Sequence, residues 1–292
     1  MPELRNTLLI ARREYRERAR TRSFVVMTIL IPAMMGGLIF GSAWINNGGT
    51  HHALHLGGHY PLIAAVYFLF FLMYMSVTLY GVAVARSISE EKSSRIFEVL
   101  LSAATSGELM AGKVLGVGSV GLTQVGIWIA AGLLLGVPAI ATPLIGGPIH
   151  LPIGLGGMLF FALMYSLGFL FYASIAAILG SIVNSDQELS QLNFFIVLPL
   201  IALASIIGPV IMHPDGHLAT VASFIPCWTP LVLFARVAAG HVPLWQILAS
   251  IATLVLAIAL LLWAAARIYR IGILMVGKRP TPAQLLRWLR SN

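Results

Sequence analysis

Six stretches of this chain contain no Asp, Glu, Lys or Arg and are each long enough to cross a bilayer, at about residues 23–45, 61–85, 114–136, 153–183, 189–212 and 244–266. A spanning helix needs about 20 consecutive apolar residues, so water-facing chemistry is confined to the segments between these runs. The composition agrees: 59% of residues are hydrophobic and only 10% charged, with a mean hydropathy of +0.91, more apolar surface than a soluble domain can hide. The expected fold is an all-α integral membrane protein with six transmembrane helices in a single domain over 23–270, preceded by a short segment at 1–22 and followed by a basic tail at 271–292.

Basic residues fix the expected orientation. Of the 18 Lys and Arg, 17 fall before the first run, between the second and third, or after the last. With six spans all three places lie on one side, and the positive-inside rule makes that side cytoplasmic, together with both termini. A further uncharged run at 218–235 is short and carries Pro226 and Pro230. Read as a seventh span it would place the C-terminal basic residues outside, so it is expected to form an outer re-entrant hairpin before the last span. The pI near 10.1 then reflects charges that flank a membrane and face lipid headgroups, and no nucleic-acid partner is expected. Cys227 is the only cysteine, which excludes an internal disulfide.

Before the first run, Leu4, Leu8, Ala11 and Tyr15 recur at helical spacing among seven arginines. That pattern predicts an amphipathic helix lying along the cytoplasmic interface rather than a cleaved signal. Three Ser/Thr-x-x-Glu sequences, Ser87 with Glu90, Thr105 with Glu108 and Ser185 with Glu188, match capping boxes and predict helix starts near Ile88, Ser106 and Asp186. A helix from Ile88 would place Ile88, Ile96, Val99 and Leu100 on one face and Glu90, Glu91 and Glu98 opposite, with Glu91 and Arg95 in the favourable i,i+4 order. The region 86–113, where charges of both signs gather between spans, is the expected handle for a cytoplasmic partner.

Three stretches carry the spacing of known chemical motifs. GELMAGKV at 107–114 follows the phosphate-binding pattern until Val114 replaces the magnesium-binding hydroxyl, so nucleotide chemistry is expected in another chain. Glu90, Glu91 and Arg95 form an E-E-x-x-x-R string that resembles the first motif of CAAX-processing intramembrane proteases, but all eight histidines fall in or beside outer loops, a membrane thickness away. His51, His52, His55 and His59 have spacings that could gather a transition metal. No carboxylate or thiol joins them, and four neighbouring glycines favour a polar, adaptable loop; no metal is assigned.

The stretch ISEEKSSRIFEVLLSAATSGELMAGKVLGVGSVGLTQVGIW from Ile88, with NSDQELSQLNFFIVLPLI from Asn184 and FIPCWTPLVLFARVAAGHVPLWQI from Phe224, resembles permeases of the ABC-2 type, in the branch of NatB-like sodium-efflux proteins. The resemblance implies a six-helix permease that pairs with a second copy or a paralogue above a separate cytoplasmic ABC ATPase. That ATPase would bind ATP and Mg, and this chain would bind no cofactor. It implies a coupling helix with ATPase-contacting residues at Glu90, Glu91, Lys92, Arg95, Glu98 and Leu100, a lesser contact at Asn184, Asp186 and Glu188, and an outer re-entrant hairpin marked by Pro226, Pro230 and Arg236. Many members of that branch carry a large extracytoplasmic domain between the first two helices, where this chain has only residues 46–60; sodium is therefore not assumed as substrate.

The implied function is export of an unidentified substrate across the cell inner membrane, driven by ATP hydrolysis elsewhere. The rival classes are a secondary transporter or channel without an ATPase, for which Pro32 and Pro199 could break helices, and a structural membrane anchor. Polar residues inside the runs are few: Thr123, Gln124, Ser166, Ser174, Gln191 and Asn193. Such groups are expected to hydrogen-bond neighbouring helices more often than to line a pathway.

Overall fold

The computed structural model describes residues 2–22, 24–30, 33, 60–94, 105–135, 155–183 and 185–272, and among them every regular element is helical. Helix α1 is Pro2–Ala19. Helix α2, Tyr60–Ser76, passes through a π turn at Val77–Gly81 into α3, Val82–Ser94. The remaining helices are α4 (Ser106–Leu135), α5 (Leu155–Ile182), α6 (Asp186–Met212), α7 (His217–Ser223), α8 (Thr229–Ala239) and α9 (Leu244–Gly272). Among the described residues, five helical stretches are long and apolar enough to cross a membrane: Phe70–Glu90, Gly107–Trp128, Leu159–Ile182, Gln187–Met212 and Leu244–Arg270. The expected first span lies mostly outside the described residues, as do 95–104, the histidine loop and the tail after Gly272.

Two of the three capping boxes start helices. Thr105 and Glu108 satisfy each other reciprocally, Thr105 N donating to Glu108 Oε2 at 2.7 Å and Glu108 N to Thr105 Oγ1 at 3.3 Å, and α4 begins at Ser106. Ser185 Oγ accepts from Glu188 N at 3.3 Å, and α6 begins at Asp186. The third expectation fails. Ser87 sits within α3, buried, and no helix starts near Ile88. The chain before it is already helical, so its hydroxyl is free to serve a tertiary contact instead.

Helices of 17, 5 and 13 residues run on without a break from Tyr60 to Ser94, and α4 has 30 residues. At 1.5 Å per residue they measure about 50 and 45 Å, against a hydrocarbon core of about 30 Å. Each must therefore overshoot the bilayer.

Helix α5 is the hub, packed against α2, α3, α4, α6, α8 and α9. Lipid offers no hydrophobic drive for helix association, so close backbone approach has to supply it. A β-carbon placed on Gly180 would stand 2.5 Å from the Ala85 carbonyl oxygen, and one on Gly168 would meet Met73 and Pro230 at 2.7–2.9 Å. Aromatic rings fill the space between these contacts: Tyr80 on Phe169, Phe169 on Tyr165, Tyr165 on Phe161, and Phe161 edge-on to Phe234.

Residues 218–235 form no seventh span. They fold into α7 and α8, both too short to cross, with Thr229 through Arg236 buried. Pro230 lies in the first turn of α8, where its fixed φ suits the helix. The linker is tied down on two sides, Trp228 Nε1 donating to the Pro199 carbonyl at 2.9 Å and Tyr172 Oη to the Cys227 carbonyl at 2.8 Å. Pro199 does not interrupt α6, which runs through both it and Pro209. Pro32 lies outside the described residues.

Substituting Gly180 with Val should lower the melting temperature in detergent, by an overpacking cost of about 1–3 kcal/mol, because the obstacle is the Ala85 backbone rather than a movable side-chain tip. Gly126→Ala, where nothing lies within 4 Å, should leave the melting temperature unchanged or slightly raised.

Candidate functional site

Helix α1 lies along the first turns of α4. Gly112 and Gly116 make this possible: a β-carbon on Gly112 would meet Ile10 Cβ at 2.7 Å, and one on Gly116 would meet the Ala11 carbonyl oxygen at 2.6 Å and Glu14 Cβ at 2.7 Å. The spacing is the small-xxx-small pattern that lets two helix backbones touch.

This close approach encloses charge. Lys113, between the two glycines, is 1% exposed and Glu14 5%. Lys113 Nζ donates to Glu14 Oε1 at 3.0 Å and to Ser87 Oγ at 2.5 Å, and Ser87 Oγ donates to the same Glu14 oxygen at 3.3 Å. One carboxylate thus joins α1 to both α3 and α4. Arg18 adds a second link one turn along: its Nη2 donates to the Ala83 carbonyl at 2.8 Å, while its Nε stands 3.9 Å from Glu14 Oε2. At the rims Asn6 Nδ2 reaches Glu108 Oε1 at 3.5 Å, and the Tyr15 and Thr123 hydroxyls lie 3.3 Å apart.

Ile10, Ala11, Glu14 and Tyr15 face the bundle, whereas Leu8 is exposed.

Of the residues expected to meet an ATPase, Glu90 is exposed near the end of α3. Glu91 and Lys92 belong to the same helix but their side chains lie outside the described residues, as do Arg95, Glu98 and Leu100 altogether. Asn184 is likewise outside, Asp186 opens α6, and Glu188 is half-buried in its first turn. Ser87 and Lys113 bracket this region. The near-match to a phosphate-binding loop, Gly107 to Val114, forms the opening turns of α4, with its lysine committed to Glu14.

Arg236 does not face water as an outer charge. It is 1% exposed, and its guanidinium donates to the Pro214 carbonyl (2.7 Å), Ser223 Oγ (2.6 Å), Thr220 Oγ1 (3.3 Å) and Gln246 Oε1 (2.8 Å), tying α7, α8 and the start of α9 together. Burial pushes its pKa down, and the Asp215 carboxylate opposes that shift. Of the polar residues within the apolar runs, Gln124 bonds across helices and two serines bond within their own helix. Gln124 accepts from the Tyr80 hydroxyl and donates to Thr28 Oγ1 at 3.3 Å, and Ser166 and Ser174 donate to carbonyls four residues back in their own helix. Gln191 is exposed, and the Asn193 side chain lies outside the described residues. Among the described residues no group of three or more His, Cys, Asp or Glu is placed to hold a metal.

Sequence reasoning missed Glu14, Ser87 and Lys113 as a unit. The available signal was a lone lysine inside AGKVLGVG, directly after the first glycine of a G-x-x-x-G pair, and an N-terminal helix whose few acids include Glu14.

The described residues thus form a helical bundle with five stretches long and apolar enough to cross a membrane and with helix α1 docked on α4. Residues 53–267 match the family described as ABC-2 family transporter protein, and the chain belongs to that family. It is similar to the uncharacterized protein YhaP of Bacillus subtilis, 34% identical over 219 residues, which is 74% of this chain and 52% of that protein. It is also similar to the uncharacterized protein MJ1024 of Methanocaldococcus jannaschii, 30% identical over 218 residues, 74% of this chain and 51% of that protein. The chain thus spans about half the length of these relatives.

Replacing Lys113 with Met should destabilise the protein by about 3 kcal/mol, because buried Glu14 keeps only the Ser87 hydroxyl and the more distant Arg18 Nε at 3.9 Å as partners. The double variant Glu14→Leu, Lys113→Met should recover most of that loss. Thermal unfolding of both variants in detergent checks the order: single variant lowest, double variant close to the parent.

Proposed function

We propose that this chain is the permease subunit of an ATP-driven ABC-2 exporter, which works with a separate cytoplasmic ATPase and a second permease copy or paralogue. Family membership supports the permease role. The observation that carries the coupling is the bracket formed by Ser87 and Lys113 on Glu14. It pins both ends of the segment that the ATPase is proposed to push, so force on Glu90, Glu91, Lys92, Arg95, Glu98 or Leu100 reaches α1, α3 and α4 together. Asn184, Asp186 and Glu188 make the lesser ATPase contact in this reading. Both termini face the cytoplasm of the inner membrane, and α7 and α8, with Pro226, Pro230 and Arg236, form the outer re-entrant hairpin.

ATP and Mg are bound by the partner subunit. The sequence resemblance to the NatB-like branch leaves the substrate open. The scarcity of charge between the ends of the apolar runs suits a cargo that is amphipathic or lipid-like rather than an ion.

The test is co-purification of the full chain from its native membrane, followed by ATPase assay in vesicles. An ATP-hydrolysing subunit should come with it, and the double variant Glu91→Lys, Arg95→Glu should weaken that association and cut stimulated hydrolysis several-fold. Recovery of the chain without any such subunit, or an unchanged rate and association in the double variant, overturns the reading.

A further inference from the structure

Among the described residues, six buried side-chain polar atoms make no hydrogen bond, and two of them belong together. Ser76, 1% exposed, closes α2 directly before the π turn, and Tyr165, also 1% exposed, lies on α5. The Ser76 side chain is within interaction range of Tyr165 Oη, yet neither hydroxyl bonds to the other or to any further group. Both residues lie inside stretches long and apolar enough to span a membrane, where lipid offers no polar partner.

Local chemistry does not account for this. Ser119, Ser166, Ser174 and Ser181 all donate to the carbonyl four residues back in their own helices, but Ser76 makes no such bond to Leu72. Tyr172, on the same helix as Tyr165 and just as buried, donates to the Cys227 carbonyl at 2.8 Å, and Tyr80 donates to Gln124. Of these three tyrosines only Tyr165 keeps an idle hydroxyl. Space is also left beside it. A β-carbon on Gly121 would meet nothing nearer than Tyr165 Oη at 3.5 Å and Tyr80 Cδ2 at 3.6 Å, ordinary contact distances, whereas Gly168 and Gly180 have no such room.

We propose that Ser76 Oγ and Tyr165 Oη hold a water molecule between the π turn and α5, beside Gly121. A buried water serves otherwise unpaired groups and needs two to four polar partners, and each hydroxyl here can both donate to it and accept from it. The two partners are uncharged, which suits water rather than an ion. The room beside Gly121 is that of a single carbon, which suits water rather than a larger molecule. Such a water gives the irregular stretch of the long helix a partner that can reorient as the helix adjusts, where a direct side-chain bond would hold one register. The site stands whether or not the chain works with an ATPase.

The test is X-ray footprinting of the full chain in phosphatidylcholine vesicles, in which radiolysis turns a bound water into a hydroxyl radical that oxidises the side chain beside it. Tyr165 should be oxidised several-fold faster than Tyr172, whose hydroxyl has a protein partner. Ser76→Ala should cut the Tyr165 rate several-fold and leave Tyr172 unchanged, and Gly121→Ala, whose methyl fits without collision, should do the same by filling the space. The parent chain alone can overturn the proposal: equal oxidation of the two tyrosines, the outcome that a direct Ser76–Tyr165 hydrogen bond would give, leaves no water there. A Tyr165 rate unmoved by Ser76→Ala overturns it as well. So does a melting temperature unchanged or raised by both Ser76→Ala and Tyr165→Phe, since only hydroxyls without any partner can be removed at no cost.

Discussion

The arrangement of α1, α3 and α4 depends on a single carboxylate. Removing Glu14 and Lys113 from water costs several kcal/mol per ion, and their attraction in a dry site roughly returns that cost only when the geometry is good and further hydrogen bonds are made. Both conditions hold here, with the pair at 3.0 Å and Ser87 bonded to each partner. The net stability gained is small, so the consequence is positional. Any other register of α1 along α4 would leave a bare charge in the seam. Gly112 and Gly116 set the same register by shape, because a larger residue at either place would collide with Ile10 or with the Ala11 carbonyl. Charge and shape therefore select one docking geometry from a helix whose arginine-rich sequence would tolerate many.

How far the sequence disclosed this depended on the range of the interaction. Thr105 and Ser185 start helices because their capping partners lie three residues away. Ser87 has the same local signature, but it follows an apolar helix already in progress, and its hydroxyl goes to Lys113 instead. Lys113 reads from sequence as a charge flanking a span, since a lysine beside an apolar run usually reaches for water. Its burial is decided by Glu14, 99 residues away, which no local pattern could supply. Bilayer-scale features were the most legible. The apolar runs lie on long helices wherever those runs are described, and the proline-bearing run at 218–235 became two short helices, as its length and composition required.

The two buried cations show two solutions to one problem. Lys113 is a compact charge and is neutralised by a carboxylate. Arg236 is satisfied by neutral oxygens on several elements, a task suited to a planar guanidinium with donors pointing in different directions. The first solution joins long helices at one site; the second gathers two short helices and the start of α9. Between them the bundle relies on glycine contacts and ring packing, which tolerate little change in helix spacing but leave no charge at risk if the helices shift.

That division bears on how a force would travel. Helices α3 and α4 share only a small direct contact near the bracketed segment, while α1 packs extensively along α4 and reaches α3 through Glu14 and Arg18. A load on the segment between Ser87 and Lys113 cannot separate α3 from α4 without drawing Glu14 away from one of its partners, so the three elements must move as a body. Just above Ser87 the same continuous helix contains its one irregular stretch among the described residues, the π turn at Val77–Gly81. A π turn interrupts the regular hydrogen-bond ladder and is a common site of local adjustment. Under the proposed coupling, rigidity around Ser87 and irregularity at Val77–Gly81 would make this long helix a lever and a joint. The joint lies beside α5, with Gly81 against Ala176 and Tyr80 against Phe169, so a displacement begun at the base would be received by the helix that touches nearly every other element of the bundle.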